Sequence, residues 1–239
     1  MWFFNKKTTI AASGILQGAT DHHSHILPGV DDGVETIAEA LHILATYETL
    51  GIKTLWLTPH IMEDCPNSTE KLRARFEELK AACTGDIQLH LAAEYMIDNH
   101  LRKLLDDNKE LLPIGTTGKH ILVETSYYNA PMRFNDTLQQ IKSLGYHPLL
   151  AHPERYMYLD NAEYIKLHSE GVKFQLNLVS LAGGYGKAVQ KKALWLLNNG
   201  LYSVAGSDLH CEDAIEYITK CKLSDKEVEQ VKALLQNVL

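Results

Sequence analysis

This chain of 239 residues lacks several features that mark common protein classes. No apolar stretch approaches the roughly 20 residues that a membrane-spanning helix needs. No stretch rich in Pro, Gly or Ser and no block of like charge divides the chain. Acidic residues outnumber lysine and arginine, and the net charge of −7 argues against a partner held by bulk positive charge. The sequence therefore predicts no transmembrane segment and no nucleic-acid partner.

Cysteine is also scarce. The four cysteines are Cys65, Cys83, Cys211 and Cys221, and none of them forms a C-x-x-C pair. In a chain of this size, that pattern predicts reduced thiols and a cytoplasmic location. At the N-terminus the apolar residues precede the lysines, which is the reverse of a signal peptide. We therefore interpret residues 1–17 as an N-terminal tail, which is either disordered or in contact with a neighbouring chain or a membrane surface.

The sequence does contain a regular alternation of short apolar runs with longer helical patterns. Candidate strands lie near 18–24, 52–57, 87–94, 120–125, 147–151, 173–177 and 202–207. Candidate helices lie near 34–49, 69–82, 99–106, 135–144, 161–169, 187–199 and 225–238. The last helix opens with a capping box from Ser224 to Glu227. About seven βα units predict an α/β fold with parallel strands and helices outside them.

Residues 18–239 are expected to form a single domain, either an open doubly wound sheet or a closed barrel. An open sheet would concentrate its site at one switch point, whereas candidate site residues follow nearly every predicted strand. This distribution favours a closed barrel of about seven βα units.

Histidines and carboxylates follow six of the predicted strands, where such folds place their chemistry. His23 and His25 stand two residues apart at the end of the first strand, so both imidazoles point to one face. The other candidates are Asp32, His60, Glu94, Glu124, His152, Asp208 and His210. Each has an ordinary explanation alone, such as a helix cap or a buried histidine. Together they would be costly to bury without a cation, and they predict a site for two or three divalent metals, Mn, Fe or Zn.

These motifs, in this order, resemble the polymerase and histidinol phosphatase (PHP) superfamily. More narrowly, Asp21-His22-His23-Ser24-His25, Asp31-Asp32-Gly33 and His152-Pro153-Glu154-Arg155-Tyr156 resemble its bacterial capsule and exopolysaccharide tyrosine-phosphatase branch, the CpsB/CapC type. The resemblance runs over about residues 20–212 and implies a distorted TIM-like (βα)7 barrel of PHP type. It also implies a metal-dependent hydrolase with three divalent ions, most often manganese. The implied substrate is phosphotyrosine on a protein, a bacterial tyrosine autokinase in capsule or exopolysaccharide control.

The resemblance also implies a role for each candidate by its position. One metal would be held by His23, His25 and Asp208, with Glu94 bridging to a second metal held by Glu124 and His152. A third metal would be held by Asp32, His60 and His210. Arg155 would bind the substrate phosphate, whereas the segment after His210 lacks the second arginine that capsule-type members can carry.

Three tyrosines just beyond strand ends, Tyr127, Tyr128 and Tyr156, are candidates to line a pocket for the substrate phenyl ring, with ordinary packing as the alternative. His22 should point to the face opposite His23 and His25, so its replacement by alanine should be far milder.

The sequence also bears on other mechanisms and functions. A thiolate-based tyrosine phosphatase needs Cys-x5-Arg, and no cysteine here has an arginine at that spacing. The nearest alternative is a histidinol-phosphate or other small-molecule PHP phosphoesterase, which would use the same metals. An amidohydrolase is disfavoured because it usually carries lysine where this chain has Glu124. A metal-binding regulatory protein without turnover is a further alternative, and homo-oligomerisation is left open.

Overall fold

The computed structural model describes residues 7–239 as a mixed α/β fold. Its strands are β1 Lys7–Thr9, β2 Thr20–Ser24, β3 Thr54–Leu57, β4 His60–Ile61, β5 Gln88–Leu91, β6 Glu94–Met96, β7 His120–Glu124, β8 His147–Ala151, β9 Lys173–Asn177, β10 Val204–Gly206 and β11 Lys222–Ser224. Its α-helices are α1 Ile10–Ser13, α2 Ile37–Leu50, α3 Thr69–Ala82, α4 Asn99–Asp106, α5 Phe134–Ser143, α6 Asn161–Ser169, α7 Leu178–Ala182, α8 Lys187–Asn198, α9 Asp213–Lys220 and α10 Asp225–Gln236. A 3-10 turn covers Pro153–Arg155.

Nine of these strands run parallel in a curled arrangement. A six-stranded sheet has the order β10-β9-β8-β7-β6-β4, and a three-stranded sheet has the order β2-β3-β5. Strand β2 lies beside the end of β10, because the backbone N–H of Asp208 donates to the carbonyl of His23 (2.8 Å) and that of His25 donates to the carbonyl of Leu209 (2.9 Å). The carboxyl ends of the parallel strands consequently gather at one end of the fold.

The predicted strand near 87–94 is divided in two. Strand β5 ends at Leu91, and after Ala92 and Ala93 the chain opens β6 with Glu94. The backbone N–H of Ala92 still donates to Leu57, whereas that of Ala93 donates to Leu112. The hydrogen-bonding partner therefore changes between two small residues, and Glu94 begins a strand instead of ending one.

The other predicted strands and helices are confirmed with small shifts at their ends. The helix predicted near 34–49 begins at Ile37, and the helix predicted near 225–238 ends at Gln236. The capping box is present, because Ser224 Oγ accepts from the backbone of Glu227 and the Glu227 carboxylate accepts from the backbone of Ser224. The patterns did not predict the short helices α1, α7 and α9 or the 3-10 turn.

The segment predicted as an N-terminal tail, 1–17, begins with residues 1–6, which lie outside the described residues. From Lys7 onward the segment has regular structure: β1 pairs antiparallel with β11, and Ile10 and Ile15 are buried. The division into a tail and a domain at residue 18 stays a prediction. Within 7–239, no helix is long and apolar enough to cross a membrane.

Candidate metal centre and substrate cleft

Four ligand atoms converge at the floor of the site, two from the end of β2 and the residue after it, one from β6 and one from the loop after β10. The Nε2 atoms of His23 and His25 are 3.1 Å apart. Glu94 Oε2 lies 3.2 Å from Nε2 of His23, and Asp208 Oδ1 lies 3.3 Å from Nε2 of each histidine. All four ligand atoms lie within 4.8 Å of one another, and all four residues are buried. This set, the first ligand group, combines the residues that the family resemblance assigned to one metal with the carboxylate that it implied as a bridge.

Two further groups lie next to the first. The second ligand group contains His60, Glu94 and Glu124. His152 joins it through Nε2, which lies 3.0 Å from Glu94 Oε1 and 3.7 Å from Glu124 Oε2. The third ligand group contains His25, Asp32, His60 and His210. The structure thus brings all nine predicted ligands into three adjoining groups that share Glu94, His25 and His60.

His60 occupies a position that the sequence did not anticipate. Its Nε2 lies 3.4 Å from Asp32 Oδ1, which agrees with the expected third group. Its Nδ1, however, lies 3.2 Å from both Glu94 Oε2 and Glu124 Oε1, in the second group. This Nδ1 and Glu94 Oε2 are buried atoms without a hydrogen-bond partner among the described residues. Orphaned buried polar atoms of this kind are typical of a site built for an ion.

A shell of outer hydrogen bonds fixes the orientation of the other imidazoles. His25 Nδ1 lies 2.8 Å from Asp31 Oδ2, and His23 Nδ1 lies 3.0 Å from Gln175 Oε1. His152 Nδ1 lies 3.3 Å from the hydroxyl of Tyr156. In each case one ring nitrogen is held and Nε2 is left facing the cluster, which is the usual arrangement of histidines that bind metals.

Three backbone features place the ligands. His152, directly after β8, has φ 33°, and Asp208, two residues after the end of β10, has φ 54°, so both adopt the left-handed conformation. Such a conformation in a non-glycine residue costs about 1–3 kcal/mol and is found where function requires it. Gly206 lies against His23: a Cβ added there would be 2.5 Å from the Cβ of His23. A glycine is required at this position because the two backbones approach so closely.

The carboxylates create a strong negative field at the site. Burial opposes protonation of His23, but Glu94 and Asp208 outweigh it and raise the pKa of His23 to about 9. Burial alone would raise the pKa of Glu94 and of Asp208, yet the adjacent imidazoles hold both pKa values well below their usual range. The field therefore favours cations, and divalent ions bound by imidazole and carboxylate would satisfy it.

A cleft of about 410 Å³ opens above the three groups. Arg155 lines it, and its Nη1 donates to Asp208 Oδ2 at 2.9 Å. Asn177 Nδ2 donates to the same oxygen at 2.7 Å, so Oδ1 of Asp208 is the oxygen left for the first group. Tyr127 and Tyr185 also line the cleft, and the Cζ atom of Arg155 lies 4.0 Å and 4.2 Å from their ring centroids.

Not all of the predicted substrate-binding residues reach this cleft. Tyr127 does, whereas Tyr128 is 84% exposed and is not among the residues that line the cleft. Tyr156 is fully buried, and its hydroxyl accepts from the backbone N–H of Thr125 and contacts His152. Tyr156 therefore supports a ligand from behind and is not part of a pocket for a phenyl ring. His22 is buried on the opposite side of β2, with its Nδ1 3.1 Å from the carbonyl of Ala205.

Sequence reasoning missed several residues of the site. It took Asp31 only as a neighbour of Asp32, and it found no candidate on β9. Gln175 and Asn177 of β9 hold His23 and Asp208, and Tyr185 contacts Arg155. The available signal was a pair of amides that alternate with the apolar residues Phe174 and Leu176, because polar side chains in a buried strand need partners.

The comparisons with known proteins agree with the geometry. A family model described as "Capsular polysaccharide synthesis, CpsB/CapC" matches residues 19–230. The tyrosine-protein phosphatase CpsB of Streptococcus pneumoniae is 30% identical over 208 residues, covering 81% of this chain and 84% of that protein. The tyrosine-protein phosphatase YwqE of Bacillus subtilis is 30% identical over 196 residues, covering 80% of this chain and 76% of that protein.

Solved structures extend the comparison to the fold. A crystal structure from a study of YwqE and CpsB, described as unique metal-dependent tyrosine phosphatases, superposes with a TM-score of 0.73 at 25% identity, covering 91% of this chain and 94% of that chain. Histidinol phosphate phosphatase from Lactococcus lactis superposes with a TM-score of 0.52 at 11% identity, covering 92% and 93%, which is a likeness of fold alone. With the family model covering most of the chain, these findings establish that the protein belongs to the CpsB/CapC family.

Proposed function

We propose that this protein is a metal-dependent protein-tyrosine phosphatase. The observation that carries the proposal is the meeting of three His/carboxylate groups beneath a cleft that Arg155 and Tyr127 line. A cluster of metal ligands beside an arginine suits a phosphate ester, because both parts neutralise phosphate oxygens. The names of the family members support the same activity.

The proposed cofactors are three divalent metal ions. Mn is the first choice, and Fe and Zn are the alternatives. The donor set fits them, since it combines imidazole and carboxylate without thiolate. Four carboxylates, Asp32, Glu94, Glu124 and Asp208, would balance two divalent ions. A third ion leaves a positive excess, which suits a phosphate dianion. When bound, such ions lower the pKa of an attacking water and neutralise charge on the phosphate.

The chain's own residues would position the phosphate ester for direct hydrolysis. Arg155 is held by Asp208 through one N–H and can offer its other donors to the phosphate. Tyr127 is 36% exposed in the cleft, where its ring can contact the phenyl group of the substrate. A tyrosine leaving group has a pKa of about 10, so its departure needs less protonation than that of an alkoxide. The proposal therefore assigns no general acid.

The wider setting belongs to the same proposal. A phosphotyrosine protein, specifically a bacterial tyrosine autokinase, is the proposed partner, in capsule or exopolysaccharide control and in the cytoplasm. We further infer a distorted (βα)7 barrel of PHP type. The contacts of β2 with the end of β10 support this inference, because they join the outer strands of the two parallel sheets.

A substrate panel tests the proposed activity. Protein loaded with Mn, Zn or Fe is assayed on a phosphotyrosine peptide, the matching phosphoserine peptide and histidinol phosphate. We expect kcat/KM to be highest for phosphotyrosine. Arg155→Lys should lower kcat/KM, whereas Cys65→Ser and thiol alkylation should leave it unchanged. A preference for histidinol phosphate would overturn the substrate assignment, and no turnover of any ester would favour a non-catalytic metal-binding protein.

A further inference from the structure

The guanidinium of Arg155 packs against two tyrosine rings. Its Cζ lies 4.0 Å from the ring centroid of Tyr127 and 4.2 Å from that of Tyr185. The side chain of Arg155 is only 15% exposed, whereas Tyr127 and Tyr185 are 36% and 40% exposed. A guanidinium over an aromatic face is attracted by the ring, and the attraction is stronger where water is excluded. Two such contacts limit how the guanidinium can rotate.

Tyr185 is presented by a glycine-rich turn between α7 and α8. Gly183 and Gly186 have φ of 90° and 91°, a conformation that favours glycine. The backbone N–H of Gly184 donates to Val179 at 2.9 Å, and a Cβ added at Gly184 would lie 2.5 Å from Val179 Cγ1. These contacts fix the turn against α7. The single large side chain of the turn is thereby held over the cleft.

The hydrogen bond between Arg155 and Asp208 determines which N–H donors of the guanidinium are free to bind a ligand. Its Nη1 donates to Asp208 Oδ2 at 2.9 Å. A guanidinium carries five N–H donors in one plane. Two tyrosine rings pack against the guanidinium and one N–H is used by Asp208, so the other N–H donors are left for a ligand in the cleft.

We propose that Tyr185 is a positioning residue that, together with Tyr127, sets the plane of Arg155 so that its free N–H donors meet the phosphate of the substrate. This inference rests on the proposed function for its substrate. Tyr185 acts through Arg155 and touches no reacting atom. The proposed role belongs to the ring, which contacts the guanidinium, and it requires no proton transfer by the hydroxyl.

The test replaces Tyr185 in the metal-loaded, full-length protein. Tyr185→Leu should raise KM for a phosphotyrosine peptide and the inhibition constant of inorganic phosphate by about tenfold, equivalent to about 1.4 kcal/mol, with metal content unchanged. Tyr185→Phe keeps the ring and should stay within about twofold of the wild type. Tyr217→Leu is the matched control, because Tyr217 is an exposed tyrosine on α9 that lines a different cleft.

A double-mutant cycle distinguishes positioning from a merely structural role. In an Arg155→Lys background, Tyr185→Leu should add little further loss, because its effect passes through the guanidinium. Equal effects in both backgrounds would overturn the proposal, as would unchanged phosphate inhibition in Tyr185→Leu. Tyr185→Met repeats the test should the leucine variant fail to fold.

Phosphate binding also separates this inference from the proposed function. The binding of inorganic phosphate to the metal-loaded protein can be measured by titration calorimetry, which requires no turnover. A wild type that binds phosphate about tenfold more tightly than Tyr185→Leu, yet hydrolyses no phosphotyrosine, would support the positioning role and overturn the proposed activity. If the wild type hydrolyses phosphotyrosine but binds phosphate no more tightly than Tyr185→Leu, the proposed activity would be supported and the positioning role overturned. A wild type that neither binds nor hydrolyses would overturn both.

Discussion

Replacing Asp31 by asparagine probes the outer hydrogen bonds that hold the proposed metal ligands. Asp31 Oδ2 lies 2.8 Å from His25 Nδ1 and accepts from the backbone N–H of His60 at 3.0 Å, while Oδ1 accepts from that of Gly33 at 3.1 Å. Asparagine has the same shape but only one acceptor oxygen. Whichever way its amide turns, an NH2 group faces a donor, and a buried or half-buried donor is left without a partner.

The expected magnitude follows from these contacts. An unsatisfied buried donor costs about 1–3 kcal/mol. Loss of an outer-shell partner typically lowers metal affinity by about 10- to 100-fold, which corresponds to about 1.4–2.7 kcal/mol. The two figures agree, so Asp31→Asn should raise the Kd for Mn²⁺ by about 10- to 100-fold. Because the nine proposed ligands remain, saturating Mn²⁺ should restore most of kcat.

The assay is a competition titration of Mn²⁺ against a chromophoric chelator, followed by kcat at saturating metal. Asp86→Asn is the matched control, since it makes the same chemical change at an exposed site. Asp32→Ala removes a proposed ligand directly, so excess metal should not restore its activity. A Kd for Asp31→Asn within twofold of the wild type would refute the reasoning.

Three further predictions address the ligands and the interior. His25→Ala should lower turnover by more than the roughly 100-fold typical of an outer-shell loss, whereas His22→Ala should keep its metal and lose mainly stability, as metal analysis and Tm would reveal. Gly206→Ala should displace His23, because the new Cβ would lie 2.5 Å from the Cβ of His23; wild-type metal content would contradict this. Burial lowers the pKa of His120 from 6.5 to about 4, so the stability that neutral His120 contributes above pH 6.5 is lost as the pH falls towards 4. Between pH 7 and pH 5, the free energy of unfolding measured in urea should fall by about 2 kcal/mol less in His120→Gln than in the wild type. Equal losses in the two proteins would contradict this prediction.

The repeating elements of the fold could be predicted because their signals are local. Helix α4 spans Asn99–Asp106 and α6 spans Asn161–Ser169, both at the predicted bounds. Apolar periodicity and capping residues act within a few positions of the chain. The pairing of β1 with β11 joins residues more than 200 positions apart, and no local pattern encodes it.

The candidate ligands could be found because histidine and carboxylate side chains at strand ends are conspicuous. Their exact placement could not, since His152 and Asp208 adopt left-handed backbone conformations that tertiary contacts impose. The change of partner strand before Glu94 has the same origin. Gln175 escaped notice because a neutral amide gives no charge signal, although it holds His23.

Metal dependence is the central claim, and one paired measurement tests it most directly. Purified protein is stripped with excess EDTA, reloaded with Mn²⁺ in steps, and divided for elemental analysis and phosphotyrosine hydrolysis at every step. Activity should vanish on stripping and return as the bound metal approaches three equivalents per chain. Full activity in the stripped protein, with no divalent metal detected, would contradict the account.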